Sequence, residues 1–209
     1  MASRMIHLAA GYCLAESIDP AQLQRFLLGS VMPDALPKTV SHRFRYFDGG
    51  RRKTYDLAGF RDRYRDRLGD GLYLGYYMHL VEDIVFRDHL YHRVGYVPTE
   101  EKLVQLHRDY TLLNPYLRER YGITEIPALP DDIADEPLVM GDIGAVGRFL
   151  EDMRRELTDD PQGEPVCYTK ETAEQYIELA VGVCRNELAA FAGRGEHTDE
   201  HSFSWLRHN

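Results

Sequence analysis

Residues 71–90, "GLYLGYYMHLVEDIVFRDHL", form the most hydrophobic helical stretch of the chain. A helix this apolar belongs inside a bundle, with other helices packed around it. Yet it carries His79 and Asp83. Four residues apart on a helix, they share one face and stand about one turn from each other. A buried charge must be paired or bound to a metal. The spacing suits two ligands of one ion, and equally a histidine held by a carboxylate in an ordinary core.

The rest of the chain is read around that helix. Apolar residues recur with the helical period almost throughout, and no stretch alternates for long with a period of two. Helices are expected over 4–16, over 20–32 behind the Asp19-Pro20 cap, over 55–68, over 99–121 behind Thr99, and over roughly 142–158 and 169–192. The segment "PDALPKTVSHRFRYFDGGRRK", with two prolines and a Gly-Gly pair, reads as a long loop. Residues 123–141, acidic and proline-rich, read as a loop or lid. The expected fold is all-α: a single-domain helical bundle over 1–193, with 194–209 as a flexible tail.

With 209 residues, 44% hydrophobic, the chain can bury one good-sized core. A formal net charge of −9 gives no nucleic-acid signal and argues against an anionic membrane surface. Cys13, Cys167 and Cys184 lie far apart, which excludes a disulfide framework and a thiolate zinc site. No apolar run reaches the roughly 20 residues of a membrane span, and the first residues lack the features of a secretory leader, so a cytoplasmic protein is expected. The sequence leaves the oligomeric state open.

Imidazoles and carboxylates without thiolates suit zinc, manganese or iron. The candidates are His7 on the first helix, Asp34 in the turn "GSVMPDA", His42 in the following loop, then His79, Asp83 and His89. Each has a structural reading too: His7 as a core histidine, Asp34 as a turn residue, His42 as a solvated side chain. His89 is ten residues past His79, about 80° away on an unbroken helix, so it joins the others only if the helix bends or ends near Asp88. On the 99–121 helix, His107 and Asp109 diverge by about 200° and cannot both face inward. Asp109 is the choice, because Tyr110, Leu113 and Leu117 mark its side as packed.

The ordered set His7, Asp34, His42, His79, Asp83 and His89 resembles the zinc-dependent phospholipase C and single-strand nuclease superfamily, over roughly residues 4–120. The resemblance implies a helical bundle holding one to three zinc ions, with Mn2+ or Fe as alternatives. Asp83 would bridge two ions; Asp34, His42 and His79 would complete one, with His7 on its neighbour. Asp34 would also orient or deprotonate the nucleophile, and His89 and Asp109 would belong to a further position. The chain departs from the family in two places. Four residues after His107 stands Thr111 where the family has a carboxylate. Secreted members also use a processed N-terminal residue as a ligand, and here the terminus need not reach the site.

The implied chemistry is hydrolysis of a small-molecule or lipid phosphoester by metal-bound hydroxide. Between Ser41 and Leu68 nine Arg or Lys stand against four Asp, and Arg43 and Arg45 are the candidates for holding the phosphate. A solvated basic face explains the same excess. A non-catalytic helical metal-binding protein with an incomplete site is the rival reading. An HD-type phosphohydrolase is disfavoured, because no His-Asp dipeptide occurs.

Overall fold

In the computed structural model, residues 2–206 are described. Among them are eight α-helices: α1 Arg4–Leu14, α2 Leu23–Val31, α3 Lys38–Ser41, α4 Leu57–Arg63, α5 Gly71–Asp88, α6 Glu100–Tyr121, α7 Ile143–Thr158 and α8 Lys170–Phe191. The central helix is α5, every residue of which from Gly71 to Phe86 is buried except Leu74. Its N-terminus is capped by Asp70, whose side chain accepts from Leu72 N.

α2 crosses α5 at backbone contact. A Cβ on Gly75 would stand 2.1 Å from the Phe26 carbonyl oxygen, and one on Gly29 would stand 2.2 Å from that of Leu72. Only hydrogen fits at these positions, so the two glycines let the helices close. α8 packs against both α5 and α1, and α6 lies against α1 and α7. Thr99 caps α6, and Gly122 ends it with a left-handed φ of 64°.

The all-α expectation needs a correction. Half of the stretch read as a loop is a hairpin, β1 Phe44–Phe47 and β2 Arg52–Tyr55, antiparallel with Phe44 opposite Tyr55 and Phe47 opposite Arg52. Asp48, Gly49 and Gly50 all take positive φ in the turn. "DGG" after an aromatic run is a hairpin signal, and the two strands are too short for alternation to show by itself.

Residues 194–206, read as tail, are laced to the body. Trp205–Leu206 forms β3, pairing with β2 at Lys53 and Arg52 to complete a three-stranded sheet. Glu187 of α8, fully buried, accepts from the Tyr77 hydroxyl at 2.7 Å and from Thr198 N, and meets His197 Nδ1 at 2.7 Å. Residues 207–209, the rest of that expected tail, lie outside the described residues. The 123–141 segment is also pinned. Ile133, Leu138 and Val139 are buried, and Glu136 accepts from Arg25, Arg67 and Tyr73. No helix among the described residues is long and apolar enough to cross a membrane.

Candidate metal centre

Three imidazoles from three separate segments meet around Asp83. His7 comes from α1, His42 from the end of α3, and His79 with Asp83 from α5. All four side chains are fully buried. His79 stacks on His7 with ring centroids 4.0 Å apart, and His42 meets it edge-on at 5.2 Å.

In each ring, Nδ1 is taken up by a neighbour away from the others. His79 Nδ1 lies 2.9 Å from the Ser30 carbonyl oxygen, which can only accept, so that nitrogen carries the proton. His7 Nδ1 lies 2.6 Å from Glu82 Oε2. His42 Nδ1 lies 2.8 Å from Ser41 Oγ, whose own proton can go to the Pro37 carbonyl at 3.2 Å. The Nε2 atoms then turn inward, where those of His7 and His42 can carry a proton toward a carboxylate in the metal-free chain and all three can offer a lone pair to an ion. That is the arrangement by which a hydrogen-bond partner behind each ring aims its other nitrogen at a metal.

The inward atoms are spaced for an ion. His42 Nε2 lies 3.3 Å from His79 Nε2, 3.4 Å from Asp83 Oδ2 and 3.7 Å from Asp34 Oδ1. His7 Nε2 lies 3.4 Å from Asp83 Oδ1. Bonds of 2.0–2.2 Å in a tetrahedral site place ligand atoms roughly 3.4 Å apart. Two bare lone pairs 3.3 Å apart repel unless a cation or proton lies between them. His7 Nε2 and Asp34 Oδ1 are buried with no hydrogen-bond partner, as a ligand site requires. Two groups can hold an ion: His7, His79 and Asp83, and Asp34, His42 and His79. Asp83 turns one oxygen toward each side, and its Oδ2 also accepts from Tyr55 at 3.1 Å.

Electrostatics divide the cluster. Burial, deepened by the charge on His7, holds His79 well below the usual imidazole range, so it is neutral. Burial would lower His7 as well, but Asp83 and Glu82 together lift it to about 10 in the metal-free chain. Burial opposes ionisation of Asp83, yet the His42 and His7 imidazoles facing it win and hold it well below the carboxylate range. Asp34 goes the other way, raised first by burial and further by Asp83, against the pull of His7.

The remaining sequence candidates lie elsewhere. α5 ends at Asp88, and His89 opens a five-residue π-turn in which its ring faces Tyr176 at 5.9 Å. Asp109 is a backbone anchor, accepting from the N–H groups of Val166, Cys167 and Tyr168 at 2.7–2.9 Å. His107, passed over for it, is the one whose side of α6 faces the cavity beside Asp34. Arg43 lies over Phe60 and Tyr64, and Arg45 faces Asp56 and Glu200; neither lines that cavity. The start of the chain does come close: Ala2 is buried, with its backbone nitrogen 3.4 Å from Asp83 Oδ1. Glu82 is the member of the cluster that the sequence did not single out. Its signal was an acid beside Asp83 in an apolar helix, but only α1 packing shows what it holds.

The cavity, about 410 Å³, has Asp34 on its wall with Lys38, His107 and Asn114. The Arg4–Glu156 ion pair closes another side. Asp34 is therefore the member of the cluster that an incoming molecule meets. No family model, curated protein or solved structure matches this chain.

Proposed function

We propose that the protein is a zinc-dependent phosphoester hydrolase of the phospholipase C type. The observation that carries this reading is the inward set of three Nε2 atoms, each with its Nδ1 engaged behind it, around a carboxylate that faces both sides. Asp34, His42, His79 and Asp83 would hold one ion, and His7 with Asp83 a second. Zinc there would supply an acidified water and a clamp for phosphate oxygens.

The chain's own residues do the rest. Glu82, Ser41 and the Ser30 carbonyl keep the three rings oriented. Asp34, which lines the cavity, would take the proton of the attacking water through the oxygen that does not face His42. Lys38 attracts the phosphate. The cavity wall is mainly polar and charged, with Tyr110 and Phe149 its large rings, which favours a small hydrophilic phosphoester over a lipid.

A second reading has one observation behind it. His7, His42, His79 and Asp83 have no exposed surface, as in a purely structural metal site. Elemental analysis of protein purified without chelator, followed by a phosphomonoester and phosphodiester panel, separates the two. Bound zinc, with turnover of at least one ester that chelation removes and added zinc restores, is expected of the hydrolase. Zinc at full stoichiometry with no turnover on any ester means a binding protein.

A further inference from the structure

One turn beyond Asp83, Arg87 lines a second cavity of about 560 Å³, separate from the cavity at Asp34. Tyr91, Phe203 and Trp205 give it an aromatic wall, and Arg52 and Tyr96 also border it. The Arg87 guanidinium lies 4.3 Å above the Trp205 ring. Arg52 is held by Ser204, donating through Nη2 to its carbonyl at 3.2 Å and its hydroxyl at 2.6 Å.

The polar atoms here share one defect. Arg52 Nε, Arg87 Nε, Trp205 Nε1 and Tyr96 Oη are all buried with no hydrogen-bond partner among the described residues. Guanidinium and indole nitrogens can only donate, and the phenol can donate as well. Buried donors without acceptors are rare in folded proteins and costly, and four on one cavity make a pattern rather than an accident. Asp88 is the acidic residue in the lining, and it already faces Arg93 at 3.6 Å. The cavity therefore offers two positive charges and unmet donors against one carboxylate, which already faces a cation.

We propose that this cavity binds an organic anion with a carboxylate or phosphate head and an apolar body. The head would accept from the two arginines, whose planar forks suit both groups. The body would lie along Tyr91, Phe203 and the Trp205 ring. A bare inorganic anion would leave that aromatic wall uncovered, and a neutral apolar molecule would leave the two guanidinium groups without a counter-charge. None of the candidate metal ligands lines the cavity, so the site stands whether or not the protein is a hydrolase.

Trp205 is the chain's single tryptophan, so its fluorescence reports on this wall directly. The full-length protein is titrated with decanoate and with decyl phosphate below their micelle thresholds, and with 1-decanol and inorganic phosphate as controls. A saturable change in Trp205 emission with decanoate or decyl phosphate is expected, and which of them binds tighter identifies the head group. Decanol and inorganic phosphate should give none at the same concentrations. Arg87→Met should weaken binding at least tenfold, and Arg52→Met should do so if the first variant does not fold. The proposal is overturned by three results: no saturable response to either amphiphile, an equal response to decanol, or unchanged affinity in variants that melt like the parent.

Discussion

His7 Nδ1 and Glu82 Oε2 lie 2.6 Å apart with no exposed surface on either side chain, although 75 residues separate them in the chain. The contact fixes the His7 ring so that Nε2 faces Asp83. Glu82→Gln keeps the shape and an acceptor but removes the charge. Zinc affinity should fall about 10–100-fold, the usual loss when such a partner is altered. Competition against a chromophoric chelator measures it; an unchanged affinity would make the pair a core contact with no bearing on metal.

Asp83→Asn should remove zinc binding and with it any turnover, because the amide loses the charge that two cations share. The metal-free protein should also weaken, by about 1–3 kcal/mol, since Tyr55 donates to this carboxylate and His7 and His42 face it. Thermal melts with zinc and with chelator read both effects. A mutant that zinc still stabilises as much as the parent would remove Asp83 from the ligand set.

Gly75→Ala tests how the site depends on helix packing. The added methyl meets the Phe26 carbonyl and the Ser30 backbone nitrogen, so α2 must move away from α5. Overpacking of this kind costs about 1–3 kcal/mol. The same movement separates His79 Nδ1 from the Ser30 carbonyl, so zinc affinity should drop together with stability. Loss of stability with affinity retained would mean that the Ser30 contact does not orient the ring.

Asp109 supplies the pH-dependent prediction. Burial opposes its charge, but bonds from Cys167, Val166 and Tyr168 win and lower its pKa below the ordinary carboxylate value. A carboxylate lowered in the folded state contributes stability that is fully present above its unfolded value, about 3.9, and lost as pH falls through the folded one. Asp109→Asn should therefore cost about 1–3 kcal/mol at neutral pH and progressively less below pH 4. Chemical denaturation at pH 7 and pH 3 checks it. An equal difference at both pH values would show that the charge is not what anchors residues 166–168.

Much of the fold could be read from local chemistry. Thr99 and Thr169 cap α6 and α8, Gly122 ends α6, and the apolar run from Gly71 is the central helix. His79 and Asp83 were legible as a pair because helical spacing alone sets their common face. The hairpin at 44–55 was lost because strands of four residues are too short for alternation to emerge, and the β3 strand because a two-residue pairing depends on a partner 150 residues away.

Helical period and cap chemistry act within a few residues, so the sequence by itself determined the longer helices and which face of α5 carries His79 and Asp83, though not the four-residue α3. Which groove a buried side chain enters is decided by what packs there. Asp109 is fully buried but is held by three backbone N–H groups of the 166–168 segment, away from Asp83, while the exposed His107 lines the cavity beside Asp34. Only the tertiary structure put Glu82 behind His7 and the Ser30 carbonyl behind His79, through the contact of α2 and α5 that Gly29 and Gly75 permit. Ring orientation in a buried cluster is set by hydrogen-bond partners distant in the chain, and no local pattern encodes those.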